Sequence, residues 1–299
     1  MTPPPFGRAA CAMVTPFAAS GELDLDGARE LAEHLVTEGC DALVLNGTTG
    51  ESPTTTDAEK AALVRAVVET VGDRARIVAG VGSSDTRHAR ALAAQAEQAG
   101  AHGLLVVSPY YSRPPQEAVA RHLTAVADAT ELPVLLYDIP ARTGVALTAD
   151  TLLRLAEHPR VRGVKDCAYD LMKSSSVLAA TDLAYYSGCD DLNLPLLAIG
   201  GTGYVSTVAN AAPGAVKAVL TAYEAGDRDA ARLRHRALTP LIEAMMYGGT
   251  PGTVTAKALL NAAGLPGGPV RGPLLDADEV TASRLTETLK GLPAVHPRG

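Results

Sequence analysis

The chain has no tryptophan and only two phenylalanines among its 299 residues. With so little Trp and Phe, the core has to be built from Ala, Leu and Val, which suits helices packed on short parallel strands. The four cysteines, Cys11, Cys40, Cys167 and Cys189, stand far apart and form no Cys-x-x-Cys pair. That argues against a zinc site or a secreted disulfide scaffold and for reduced thiols. No apolar run approaches the roughly 20 residues that span a bilayer. The start, Met1-Thr2-Pro3-Pro4-Pro5-Phe6, lacks the charged head and apolar core of a signal peptide. These absences predict a cytoplasmic protein with no membrane partner. Net charge is −7, with no basic run or basic–aromatic stripe, so a nucleic-acid partner is not expected.

What is present is ordinary for a globular enzyme: 47% hydrophobic and 20% charged residues. Strand-like and helix-like segments alternate at intervals of roughly 25 residues, the mark of parallel βαβ units. Strands are predicted at Ala10–Val14, Ala42–Leu45, Ile77–Val81, Gly103–Val107, Pro133–Tyr137, Val161–Asp166, Leu183–Ser187 and Gly203–Thr207. Helices are predicted from about Leu25 to Glu38, Asp57 to Val71, Asp85 to Ala99, up to Thr130, and near Ala149–Glu157. Beyond Pro213 only helices follow: Gly214–Glu224, Asp227–Met246, Thr255–Ala263 and Ala277–Lys290. The fold class is therefore α/β, a (β/α)8 TIM barrel over residues 1–226 with a C-terminal helical extension over 227–299. An open doubly wound sheet is the alternative; no Gly-x-Gly-x-x-Gly follows the first strand to support it.

Barrel chemistry sits at the C-terminal ends of the strands. Lys165 closes the sixth strand. An amine in a water-poor site is held partly neutral and can attack a ketone to form a Schiff base. Alone, it could equally be a surface lysine with its stem on the strand. After the second strand, Gly47-Thr48-Thr49-Gly50-Glu51 can form a turn presenting N–H groups and hydroxyls to a carboxylate, or merely cap the next helix. Tyr110-Tyr111 stands between Pro109 and Pro114. Tyr137 ends the fifth strand, and Arg142 follows it, either to clamp a carboxylate or to pair with Asp138 or Asp166. The combination is more specific than its parts. A keto acid needs a carboxylate cradle, an amine nucleophile and a proton shuttle, and these residues supply one of each at one rim. No His/Asp/Glu cluster marks the strand ends, so neither a metal nor any other cofactor is expected.

Four motifs carry a family resemblance: Gly47-Thr48-Thr49-Gly50-Glu51-Ser52, Pro109-Tyr110-Tyr111, Tyr137 to Gly144, and Gly163-Val164-Lys165-Asp166. The chain resembles the dihydrodipicolinate synthases, within the pyruvate-dependent class I aldolases that include N-acetylneuraminate lyase. The resemblance implies that Lys165 forms an imine with pyruvate and that Thr48 and Thr49 hold the pyruvate carboxylate. It implies that Tyr137 relays protons, with Thr49 and with Tyr111 from a neighbouring subunit. It places Arg142 on the carboxylate of the aldehyde, and Gly188 and the Val205 carbonyl along the substrate. The implied reaction joins pyruvate to L-aspartate 4-semialdehyde, giving 4-hydroxy-tetrahydrodipicolinate for lysine and diaminopimelate synthesis. The implied assembly is a homotetramer of paired dimers.

Two departures from the family stand out. Cys167 and Cys189 replace the usual Ala and Asp at the ends of neighbouring strands. They are expected to lie together near the site and alter substrate fit or redox sensitivity, or else to be small buried filler. Lysine-inhibited synthases bind lysine at a dimer interface with the help of His, Asn and Glu side chains. The corresponding positions here hold Asp57, Lys60, Ser84 and His88, beside Ser52 and Tyr110. A cation at Lys60 and no acid at His88 predict weak or absent lysine feedback. Two other readings remain: a paralogue using another aldehyde or keto acid, and a non-catalytic barrel that only binds a keto acid or a partner.

Overall fold

The computed structural model describes residues 4–293, so Met1–Pro3 and the last six positions of the expected 227–299 extension lie outside the described residues. Eight parallel strands close into a barrel in chain order. They are β1 (Ala9–Ala12), β2 (Ala42–Leu45), β3 (Arg76–Gly80), β4 (Gly103–Val107), β5 (Val134–Asp138), β6 (Val161–Asp166), β7 (Ala184–Ser187) and β8 (Gly203–Ser206). The helices between them are α1 (Leu25–Thr37), α2 (Asp57–Val71), α3 (Thr86–Gln98), α4 (Gln116–Ala127), the single turn α5 (Pro140–Thr143), α6 (Ala149–Ala156), α7 (Leu171–Ala180) and α8 (Asn193–Ala198). After β8 come α9 (Pro213–Glu224), α10 (Arg228–Ile242), α11 (Gly252–Ala262) and α12 (Glu279–Lys290). Among the described residues no helix is long and apolar enough to cross a membrane.

Period-two alternation sorts each strand between two cores. Ala10, Ala12, Val44, Leu135, Tyr137, Cys167, Tyr186 and Val205 face the barrel axis. Cys11, Leu43, Leu45, Leu136 and Val164 face outward and are buried under the helices. The two phenylalanines hold special places. Phe6 closes the lower end of the barrel, edge-on to Tyr186 with ring centroids 6.1 Å apart. Phe17 lies under two cations of the C-terminal region, Lys257 at 4.3 Å and Arg271 at 4.0 Å.

Local chemistry sets the helix starts. Asp24, Asp85, Thr148, Asp170, Asp227 and Asp278 each cap the helix that follows, accepting a backbone N–H. Thr56 and Glu59 form a full capping box on α2.

Three expectations needed adjustment. Helices α7 and α8 were not anticipated. The run Ser174-Ser175-Ser176 turns its hydroxyls back to the carbonyls of Asp170, Leu171 and Met172, a weak helix signal, and α8 is six residues long with Pro195 inside it. The single helix expected over Asp227–Met246 ends at Ile242, because Pro240 interrupts the ladder and a π-helical turn follows over Glu243–Tyr247. The first strand begins and ends one to two residues earlier than expected, although Met13 N still donates to Val44 O at 3.1 Å.

Candidate active site

The upper rim of β5 and β6 brings Lys165 and Tyr137 together. They are Cα partners in the ladder and both point inward. Lys165 is 4% exposed, and its Nζ stands 4.2 Å above the Tyr137 ring. Burial pushes the Lys165 pKa down and the nearby Arg142 charge adds to this, while Cys167, Cys189 and Asp190 work in the opposite direction. Loss of solvation disfavours the ammonium and leaves the amine available as a nucleophile. Tyr137 is held well above the usual phenol range, first by burial and then by Cys167, while the nearby Thr48 side chain works against that. It is a neutral phenol able both to give and to accept a proton.

The turn after β2 is built tightly. Asn46 and Glu51 both take left-handed backbone conformations, with φ of 54° and 55°. Between them Ser52 N donates to Gly47 O at 3.2 Å and Glu51 N to Thr48 O at 3.2 Å. A Cβ on Gly50 would lie 3.1 Å from Asn46 N and 3.2 Å from Met13 O, so the turn packs tightly against the glycine there. Within it the two threonines part. Thr48 lines the same cavity as Tyr137, whereas Thr49 Oγ1 lies 3.2 Å from Thr207 Oγ1. Thr48 therefore opens onto the cavity beside Tyr137, while the Thr49 hydroxyl is turned toward β8.

The acids that could have neutralised Arg142 are occupied. Asp138 holds Lys173 at 2.5 Å, and Asp166 accepts from Tyr185 Oη and Ser174 Oγ, both at 2.9 Å. Among the described residues Arg142 has no ion-pair partner, and with Thr48, Tyr137 and Ile139 it lines a cavity of about 520 Å³. Gly188 has no room for a side chain: a Cβ there would lie 2.4 Å from Cys167 Sγ and 2.8 Å from Lys165 Cε. Val205 is on β8, facing the barrel interior. Tyr111 stands apart from this group. It is 93% exposed with φ of 77°, a left-handed conformation that costs a bulky residue strain.

A model of the dihydrodipicolinate synthetase family matches residues 5–292. The chain belongs to the dihydrodipicolinate synthetase family. It is 65% identical over 281 residues to 4-hydroxy-tetrahydrodipicolinate synthase 1 of Streptomyces coelicolor, covering 94% of this chain and 92% of that one. It superposes on the dihydrodipicolinate synthase of Bacillus anthracis with a TM-score of 0.93 and 36% identity, covering 97% of this chain and 99% of that one. A family structure from Cyanidioschyzon merolae with lysine bound gives the same TM-score of 0.93 and 36% identity, again over 97% and 99% of the two chains.

Sequence reasoning missed several residues that hold this family site in shape. Glu51 and Lys257 form a buried pair at 2.6 Å, tying α11 to the Gly47–Ser52 turn. Asp190 accepts from Thr207 N at 3.1 Å, Val208 N at 3.2 Å and the Ser206 hydroxyl, and so fixes the loop after β8. Neither stands in a recognisable motif. The lysine and its glutamate are 206 residues apart in sequence, and only the folded chain brings them together.

Proposed function

We propose that this protein condenses pyruvate with L-aspartate 4-semialdehyde through a Schiff base on Lys165, giving 4-hydroxy-tetrahydrodipicolinate. The observation that carries the reading is the buried Lys165 amine on the Tyr137 ring, inside a family barrel. The amine attacks the keto carbon, and loss of water gives the imine. Loss of a methyl proton gives the enamine, whose carbon attacks the aldehyde. Tyr137 moves protons through these steps, and the threonine hydroxyls of the Gly47–Gly50 turn continue its relay. The Gly47–Gly50 turn offers N–H groups and the Thr48 and Thr49 hydroxyls to the pyruvate carboxylate. Gly188 leaves Lys165 its space, and the Val205 carbonyl borders the substrate. The barrel over residues 1–226 carries this chemistry, and the helices from 227 onward brace it through Lys257. A coupled assay with the two substrates tests the reading. Turnover with pyruvate but only with another aldehyde would favour the paralogue, for which the thiol of Cys167 beside Tyr137 is the supporting observation.

Arg142 is the group for the second carboxylate. A charge-assisted pair contributes about 1.5–3 kcal/mol, so Arg142→Ala should raise KM for the aldehyde by roughly 10- to 100-fold. Steady-state kinetics with both substrates varied checks this; pyruvate KM should stay nearly unchanged.

Tyr111, exposed and left-handed on its loop, fits a role in a neighbour's site, and we place this chain in a homo-oligomer, a tetramer of paired dimers. The same cavity continues past Tyr110 to Asp57, Lys60 and His88. There Lys60 Nζ donates to Thr55 O at 2.5 Å, and His88 Nε2 holds Asp57 at 2.9 Å. The Ser83 hydroxyl lies 3.3 Å from His88 Nδ1. A buried cation and an acid already paired leave nothing to receive the amines of free lysine. Millimolar lysine should therefore leave the rate unchanged. Sub-millimolar inhibition would contradict this.

A further inference from the structure

One residue beyond the strand of Lys165 stands a thiol that the aldol chemistry does not use. The last pair of the β6–β7 ladder is Asp166 and Ser187, and Gly188 N donates to Asp166 O at 2.8 Å just beyond it. Neighbouring strands lie about 4.8 Å apart. Cys167 thus falls opposite Gly188 with Cys189 one residue further on, a diagonal of about 6 Å between Cα atoms, within the roughly 4.4–6.8 Å that a disulfide spans. Both thiols are free, and Cys189 packs against the inner core cluster that contains Cys167. Cys167 Sγ also lies 3.9 Å from Tyr137 Oη, and it shares with Lys165 Cε the small space that keeps Gly188 without a side chain.

The two thiols differ in kind. Contact with Cys189 lowers the Cys167 pKa, and the Lys165 charge and the Tyr137 hydroxyl lower it further against burial. Cys189 is pushed up by the same contact and by burial. Cys189 is also the more open of the two, beneath the half-exposed Tyr169, whose hydroxyl reaches Tyr247 Oη at 2.6 Å. The chain contains its own control pair. Cys11 and Cys40 share the outer core cluster beneath the helices, away from the cavity, and burial raises Cys11.

We propose that Cys167 and Cys189 form a peroxide-reactive pair in the wall of the Lys165 site, with Cys167 as the attacking thiol and Cys189 as the resolving one. The Cys167 thiolate attacks one oxygen of hydrogen peroxide. An S–O bond forms, the O–O bond breaks, and hydroxide leaves. The Cys189 sulfur then displaces a second hydroxide from the Cys167 sulfenic acid, forming the S–S bond, and the protons lost by the two thiols convert the two hydroxides to water. Two thiols and one peroxide become one disulfide and two waters. Drawing the Cys167 sulfur toward Cys189 takes a hydrogen-bond donor from Tyr137 and repacks the wall against the Lys165 side chain, slowing imine formation. The functional part of this proposal rests on the Schiff-base reading of Lys165.

The test uses the full chain, reduced and then treated with hydrogen peroxide. Peptide mass mapping reads the cross-link, and cyanoborohydride trapping of pyruvate, which spares disulfides, reads imine formation. The expected result is a Cys167–Cys189 linked peptide, no Cys11–Cys40 link, and a trapping rate about ten-fold lower or more. Dithiothreitol should restore that rate. Cys189→Ser should trap pyruvate at the ordinary reduced rate, form no link, and lose activity under peroxide without recovery in dithiothreitol. A link with undiminished trapping, or lost trapping with no link at this pair, overturns the proposal. Reduced protein that traps no pyruvate overturns the Schiff-base reading instead, since the cross-link is read without it.

Discussion

Lys165→Ala is expected to lower kcat for condensation by about 10³- to 10⁶-fold, as removal of a covalent nucleophile does. No other lysine can take its place. Of the six lysines, only Lys165 faces the barrel axis beside Tyr137. Lys60 and Lys173 hold backbone or carboxylate partners, and Lys257 is locked to Glu51. The fold should survive, and the direction of the Lys165 pKa shift says why. The folded pKa is lowered, so the unfolded chain binds the proton more tightly and the charged form destabilises the fold. That penalty is complete below the folded pKa and fades as pH rises toward the ordinary 10.5. Removing the amine removes the penalty, which offsets part of the packing lost. Thermal unfolding should show a variant close to the parent, and loss of folding would mean that the side chain is structural. For the same reason the parent's imine formation should hold up at pH values where an exposed lysine would be fully protonated.

Lys257→Met is expected to be the most destabilising single change. It leaves Glu51 as an unpaired buried charge, where breaking such a pair costs about 3–5 kcal/mol. For a chain of this size that is a fall in Tm of roughly 6–15 °C. The loss should not stop at stability. Glu51 also accepts from Arg271 N at 2.8 Å and sits in the left-handed turn that positions Thr48 and Thr49. Pyruvate KM should therefore rise along with the fall in Tm. Adding Glu51→Gln to Lys257→Met should recover much of the stability, because no buried charge then remains. Calorimetry on the three variants checks the sign of this coupling. A double variant as unstable as the single one would show that packing around Phe17, not charge, is what Lys257 supplies.

The strands, most helices and the rim residues were legible in sequence because each rests on a local signal. Leu25–Thr37 shows its cap at Asp24, Asp57–Val71 its capping box, and β2 an unbroken apolar run before a glycine turn. Lys165 and Tyr137 were legible as strand ends, and register then made them neighbours. Side-chain direction was not legible. Whether Thr48 or Thr49 opens onto the cavity depends on two left-handed residues, Asn46 and Glu51, in a turn whose shape is set by Gly50, Thr15 and the distant Lys257. Cys167, two residues on from Lys165, faces the barrel interior, and both side chains crowd Gly188. The approach of Cys167 to Cys189 needed the β6–β7 register.

The most direct measurement is reductive trapping. Pyruvate and cyanoborohydride are added to the full chain, and the modified peptide is located by mass. One reduced pyruvate adduct on the peptide carrying Lys165, and none in Lys165→Ala, is the predicted result. No adduct, or an adduct on another of the six lysines, would contradict the account.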